Sequence, residues 1–362
     1  MNPLKARLVD LIEALGPITV AEFMAMCLYD PKHGYYTTRD PFGREGDFTT
    51  APEISQMFGE LVGVWIAGAW AAMGRPKRVV VAEIGPGRGT LMKDMARTLA
   101  KIAPDLREKG RFCLVEVSPK LAWAQATHLQ GTPGRFDWHE TVDTLPKYPL
   151  IIVGNELFDA IPMRQYVRSN GEWRERMVGL DRDDNLVFLA GAGGVDPALL
   201  PPDAQAAPDG AIAELAPARA ATMNAIAGRI AAKGGAGLFI DYGYAKPAVG
   251  DTLQALLKHA YDDVLAHPGG ADLTSHVDFS ALAREAVAHG LDTSLLTQGD
   301  FLLRMGLLER AGRLGREASE ETRDMLRSEV ERLAEPDQMG TLFKALCVAR
   351  RGRMPEPFGT AD

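Results

Sequence analysis

The sequence predicts an α/β fold with a mostly parallel sheet, and three observations carry that expectation. Val79, Val80, Val81 and Ala82 form a near-continuous apolar run, the pattern of a strand buried on both faces. The run breaks into Gly85, Gly87 and Gly89, and residues 90–95 then take helical spacing, so strand, glycine loop and helix follow in immediate succession. The same apolar pattern returns at 111–118, 149–154 and 238–243, each time ending in polar or acidic residues.

In chain order, residues 4–15 have apolar helical spacing that Gly16-Pro17 ends, and Thr19 can cap a second helix running to Leu28. Residues 29–50 read as a long loop rich in Gly, Tyr, His and acids. Long loops in compact domains tend to be lids or disordered, and the aromatic residues argue against disorder. Thr50 and Glu53 have capping-box spacing. The helix they open should put Ile54, Met57, Phe58, Leu61, Val64 and Trp65 into the core.

The glycine loop is the centre of the chain. Glycine at these points lets the backbone turn sharply and approach a ligand with no Cβ in the way, and the following helix offers free N–H groups. The third glycine comes one residue earlier than in a dinucleotide fingerprint, which disfavours a nicotinamide site, and no Lys-Ser/Thr pair follows, which argues against a P-loop. With Glu83 in front, the pattern acidic-x-G-x-G-x-G resembles the first motif of class I S-adenosylmethionine methyltransferases. In nucleoside-binding α/β folds an acid ending the second strand accepts ribose hydroxyls, which marks Glu116. Ser118-Pro119 then starts a helix.

Residues 136–139 are a short third strand, where Trp138 or His139 either flanks an adenine ring or packs in the core. The fourth strand, 149–154, runs into Asn155, Glu156 and Asp159. Ligands of open α/β sheets lie outside the carboxyl ends of the strands, so these three belong to the same rim as the glycine loop. Residues 165–189 alternate, with turns at Asn170-Gly171 and Asp183-Asp184-Asn185, and read as an antiparallel insert. An Ala/Pro-rich connector, a helix over about 218–233 and a fifth strand at 238–243 follow. Residues 250–340 read as mostly helical. They contain His259, Tyr261, Asp262, His276 and Asp278, but no metal-binding histidine spacing, so no metal is expected. A final strand occupies 340–350, and 355–362 form a tail.

The net charge of −8 argues against broad nucleic-acid binding. Cys27, Cys113 and Cys347 are isolated in apolar surroundings, as inert thiols of a reducing compartment would be. The first fifteen residues are too polar for a secretory signal and too acidic for a transit peptide, and no stretch reaches membrane-span length. A cytoplasmic protein without membrane insertion is expected.

Several motifs occur together in one order: Gly34-Tyr35-Tyr36, the run from Gly46-Asp47 through Thr49-Thr50 to Glu53, Glu83-Ile84-Gly85-Pro86-Gly87-Arg88-Gly89-Thr90, Asn155-Glu156-Leu157-Phe158-Asp159, Ile240-Asp241-Tyr242-Gly243, Gly250-Asp251, Ala271-Asp272 through Asp278, and Thr297-Gln298-Gly299. This combination resembles the MidA family, over about residues 29–350. The family includes a mitochondrial arginine methyltransferase that assists assembly of respiratory complex I.

The resemblance implies a Rossmann-like class I fold with a seven-stranded sheet, an N-terminal helical and loop extension (1–75), a core (76–250, with the β insert at about 165–190), a helical insertion (251–335), a return strand (336–352) and a tail (353–362). It implies S-adenosylmethionine as cofactor, bound by Gly46, Thr49, Thr50, Glu83, Gly85, Pro86, Gly87, Gly89, Thr90, Glu116, Ser118 and Asn155. The implied activity is symmetric dimethylation of an arginine on the large quinone-side subunit of complex I. The acceptor would be another protein or a small molecule in a second reading, and in a third the chain is a cofactor-binding assembly factor; a homodimer is compatible with each.

Arginine chemistry independently asks for carboxylates. A guanidinium stays protonated and is a poor nucleophile, and paired acids match its fork. Glu156 and Asp159 are the first candidates for that grip, with Asp47 and Glu53 as supports.

Overall fold

A computed structural model describes residues 2–38 and 50–359 of the chain. The expected lid residues Gly46, Asp47 and Thr49 lie outside the described residues. The chain divides into two compact units, each assembled from three separate segments.

The larger unit comprises Thr49–Leu157, Thr222–Ala245 and Phe279–Asp362. Its strands are β1 (Val80–Ile84), β2 (Arg111–Val115), β3 (Phe136–His139), β4 (Leu150–Asn155), β5 (Gly235–Tyr244), β6 (Leu291–Thr297) and β7 (Phe343–Arg350). They lie side by side in the order β6-β7-β5-β4-β1-β2-β3. The strands from β1 to β5 pair in parallel, with Glu83 opposite Val153 and Leu114. Strand β7 runs antiparallel between β5 and β6. The apolar runs behave as parallel strands should: β1 is buried at every position, as are the first five residues of β4.

Three helices of this unit bear on the site: α1 (Gln56–Ala72), α2 (Thr90–Ile102) and α3 (Pro119–His128). Helices α1 and α2 approach closely because Gly59 and Gly63 leave room; a Cβ on Gly59 would sit 2.6 Å from Cβ of Asp94. Glu60 of α1 forms a bidentate pair with Arg310, with Nε–Oε2 at 2.7 Å and Nη2–Oε1 at 2.9 Å.

Two expectations for α1 are corrected. Rather than one helix opened by Thr50, a single turn (Ala51–Ile54) stops at Ser55, whose extended backbone and side chain cap α1 through the Met57 N–H at 3.2 Å. Because the buried stripe centres on Phe58, Val62, Trp65, Ile66 and Ala69, Val64 points away from it and is 39% exposed.

The smaller unit comprises Met1–Phe48, Phe158–Ala221 and Lys246–Asp278. Its helices Pro3–Leu15 and Val20–Tyr29 are well delimited. Asn2 caps the first, Gly16 at φ +87° ends it, and Thr19 with Glu22 forms a capping box on the second. Their apolar faces pack with Met163, Val178 and Leu273 into a separate core.

Strands Arg164–Ser169, Glu172–Leu180 and Leu186–Gly194 form successive antiparallel pairs. Asn170 and Gly171 both take positive φ at the first turn, as a two-residue hairpin loop requires.

The mostly helical expectation for 250–340 is also corrected. In the smaller unit Gln254–Leu257 pairs antiparallel with Ala260–Asp262 and with Asp272–Thr274. In the larger unit β6 belongs to the main sheet. Lys258 and His259 turn the hairpin at φ +52° and +63°, positions that ordinarily take Gly or Asn, so the turn carries no sequence signal.

All three thiols are buried, and burial pushes Cys27 and Cys113 up to about 12. Among the described residues no helix is long and apolar enough to cross a membrane.

Candidate functional site

The rim of the larger unit's sheet is built where β1, β2 and β4 end. The Gly85 N–H donates to the Val115 carbonyl at 3.2 Å, which ties the start of the glycine loop to β2. Gly85, Gly87 and Gly89 have φ of +67°, +52° and +83°. At Gly85 a side chain is excluded sterically as well, since a Cβ would lie 2.9 Å from Cδ1 of Leu157. The buried Pro86 accepts the Gly89 N–H at 2.7 Å, and Gly89 is the cap of α2.

Glu83 is 3% exposed, and the Met92 backbone N–H reaches its carboxylate. Its Oε2 has no hydrogen-bond partner among the described residues. Burial holds this carboxyl well above the usual carboxylate range. Across the rim, Asn155 donates from Nδ2 to Oε1 of Glu156 at 2.9 Å, while its buried Oδ1 likewise lacks a partner among the described residues. Two buried acceptors near the ends of the adjacent strands β1 and β4 therefore lack donors among the described residues, and such groups are costly unless something binds them.

Glu156 has φ +50°, a strained conformation for a glutamate. Its Oε1 also accepts the Ala51 N–H at 3.3 Å, and its own N–H donates to the Ile240 carbonyl at 2.8 Å. The Thr50–Glu53 capping box does not form, because the Glu53 N–H donates to the Thr50 backbone carbonyl at 2.9 Å rather than to its hydroxyl. The Ala51 N–H is taken by Glu156, Thr50 makes no capping bond, and Glu53 instead accepts the Thr90 hydroxyl at 2.5 Å.

Glu116 follows β2. It accepts the Ser118 N–H on Oε1 at 2.8 Å and the Gln125 amide on Oε2 at 3.0 Å. Burial raises its pKa, and these bonds oppose the rise. Ser118 Oγ accepts the Leu121 N–H at 3.4 Å, so this hydroxyl serves as the cap of α3. Trp138 bonds Gln125 and packs against the core, and His139 Nδ1 lies 3.1 Å from the Thr144 hydroxyl.

Thr50, Glu53, Glu83, Gly85, Pro86, Gly87, Gly89, Thr90, Glu116, Ser118, Asn155 and Glu156 thus all belong to the larger unit. Asp159 belongs to the smaller unit, where it is 5% exposed. Its backbone carbonyl accepts from Arg219 Nη2 at 3.0 Å and from the Ser275 N–H at 3.1 Å. Arg219, itself 3% exposed, spends its other donors on the Ile161 and His276 carbonyls and the Ser275 hydroxyl. Tyr36 donates to Asp272 at 3.0 Å; burial, then the charges of Asp272 and Asp159, push its phenol well above the ordinary value.

Sequence reasoning missed Gln125, Leu157 and Arg219. Gln125 had a usable signal, because it is a polar residue one turn after Leu121 on the buried stripe of α3.

A family model described as "Putative S-adenosyl-L-methionine-dependent methyltransferase" matches residues 61–297. The chain belongs to this, the MidA family of methyltransferases. The "Protein arginine methyltransferase NDUFAF7 homolog, mitochondrial" of Drosophila melanogaster is 34% identical over 363 residues, covering 93% of this chain and 82% of that protein. The human "Protein arginine methyltransferase NDUFAF7, mitochondrial" is 33% identical over 380 residues, covering 98% and 85%. A crystal structure from Burkholderia thailandensis, bound to S-adenosyl-homocysteine, superposes with a TM-score of 0.85 at 28% identity, covering 96% of this chain and 92% of that one.

As a MidA-family member the chain is an S-adenosylmethionine-dependent methyltransferase of α/β fold. The rim fits that cofactor. Its methionine moiety carries an ammonium and a sulfonium, and the rim offers a buried carboxylate oxygen and an amide oxygen without donors of their own.

Proposed function

We propose that the chain is a protein arginine N-methyltransferase whose acceptor is an arginine of the large quinone-side subunit of NADH:ubiquinone oxidoreductase, dimethylated symmetrically during assembly. The observation that carries the activity is the identity of 33–34%, over nine-tenths or more of the chain, with relatives named protein arginine methyltransferases. The choice of subunit rests on the family resemblance. Cytoplasmic residence and a homodimer belong to the same proposal, although the named relatives are mitochondrial.

The cofactor, when bound, supplies an electrophilic methyl on sulfur for in-line displacement by an acceptor nitrogen. Glu83 and Asn155 hold its cationic methionine end, the glycine loop passes beneath it, and Glu116 accepts its ribose hydroxyls. Val117, 71% exposed directly after Glu116, offers an apolar face to the base. Glu156 orients the acceptor guanidinium and takes up the released proton, with Glu53 in support. The fixed backbone of Glu156 suits that work, because a carboxylate already oriented loses little entropy on binding.

The test incubates the purified protein with labelled S-adenosylmethionine and the recombinant quinone-side subunit, followed by mass spectrometry. A dimethylated arginine, lost in Glu156→Gln, is the expected result. Full turnover in Glu156→Gln would remove the grip from Glu156. Cofactor binding with no transfer to this subunit would overturn the acceptor assignment and favour another acceptor or a scaffold role.

A further inference from the structure

We propose that Gln125 is a positioning residue for the cofactor's ribose, holding the Glu116 carboxylate and the Gly87 carbonyl at a fixed separation, and that Trp138 sets its orientation. The proposal rests on the assignment of Glu116 to the ribose.

Gln125 is 0% exposed, and both its amide nitrogen's donors and its amide oxygen have partners. Nε2 donates to the Gly87 carbonyl at 2.8 Å and to Glu116 Oε2 at 3.0 Å, while Oε1 accepts from Trp138 Nε1 at 2.9 Å. An indole N–H can only donate, so the amide oxygen must face Trp138 and the amino group must face the rim. One side chain therefore joins α3, the glycine loop, the residue after β2, and β3.

The consequence falls on Glu116. With Oε1 held by Ser118, Oε2 by Gln125 and the Val117 N–H also on the carboxylate, its plane is fixed from both oxygens. A hydroxyl pair arriving on a preset carboxylate loses no free energy to reorienting it. Glutamate at 125 would turn an oxygen toward both Gly87 and Glu116. Methionine would fill the space and hold neither.

The experiment measures, by calorimetry, binding of S-adenosylhomocysteine and of its 2′,3′-dideoxyribose analogue. It compares the wild type with Gln125→Met, Trp138→Phe, Glu116→Gln and the Gln125→Met/Glu116→Gln double variant. A hydrogen bond to a charged group is worth a factor of about ten or more. Gln125→Met should therefore weaken the ribose ligand about tenfold while leaving the dideoxy ligand nearly unchanged, so discrimination collapses.

Trp138→Phe keeps an aromatic ring and removes the donor. It should show a smaller loss in the same sense, and it tests the idea even if Gln125→Met fails to fold. In the Glu116→Gln background the Gln125 change should add nothing to discrimination. Equal weakening of both ligands in Gln125→Met and Trp138→Phe would mean a merely structural role and overturn the proposal. Unchanged discrimination in Glu116→Gln would overturn the ribose assignment itself, and the proposal with it.

Discussion

Replacing Glu83 by glutamine should weaken the cofactor and strengthen the empty protein at the same time. The side chain is 3% exposed, with one oxygen lacking a partner among the described residues, so its charge is poorly compensated until a cation arrives. A cation at contact distance, about 4 Å, attracts a carboxylate by about 4 kcal/mol at an effective dielectric of about 20. Allowing for desolvation of the cation, a net loss of about 2–3 kcal/mol in Glu83→Gln corresponds to roughly 30- to 150-fold weaker S-adenosylmethionine binding.

The sign for the empty protein is opposite. Burial raises the folded-state pKa of Glu83 above its unfolded value of about 4.3. Below that value both states are protonated and burial has no electrostatic cost. As pH rises through it the unfolded chain ionises first, and stability falls until the folded carboxyl ionises too. Glutamine does not titrate. The variant should therefore match the wild type near about pH 3 and unfold at a higher temperature near about pH 7. Thermal unfolding across that range without ligand, paired with calorimetry of S-adenosylmethionine, checks both halves. Unchanged cofactor affinity, or a Glu83→Gln protein less stable than wild type at neutral pH, would refute the argument.

Gly85→Ala should cost about 1–3 kcal/mol, combining the left-handed backbone with the clash on Leu157. Denaturant unfolding should show Leu157→Ala relieving only the steric part, since the φ of +67° remains. Arg219→Lys replaces a fork serving three carbonyls and a hydroxyl by a single ammonium, and should lower the urea midpoint by the equivalent of about 2–4 kcal/mol. A midpoint within error of wild type would show that these carbonyls are satisfied without the fork.

The parts of the fold readable in advance were those whose environment writes a simple pattern. A strand buried on both faces must be apolar throughout, so β1, β2, β4 and β5 stood out, and the glycine loop with Glu83 stood out with them. What was unreadable depends on partners remote in sequence. The lost Thr50–Glu53 box is one case, because the Glu53 carboxylate is taken by the Thr90 hydroxyl, 37 positions away. The hairpin at Lys258-His259 uses positive φ without glycine, so nothing local announces it. Strand β6 mixes threonine, serine and leucine in a half-buried setting, and its pattern is weak. The motifs around Asp159 and Asp272 were visible as words, but their membership of the smaller unit was not, because that unit is stitched from three distant segments.

The place of β7 in the sheet also bears on how the chain is made. The edge of β5 that it covers, Ala236 to Tyr242, is synthesised well before it: Phe343 comes 99 residues after Tyr244 (343 − 244). At about 5–20 residues per second, translation leaves that apolar edge open for roughly 5–20 s. Strand β6, which pairs with β7 at the sheet's edge, waits with it. An open edge is a template for pairing with another chain. A nascent chain halted before Phe343 should therefore bind chaperones or aggregate, while one that includes β7 should not; equal solubility of the two on release would show that the edge is protected by other means. For this protein the hazard during synthesis lies in an unclosed sheet, and one late strand ends it.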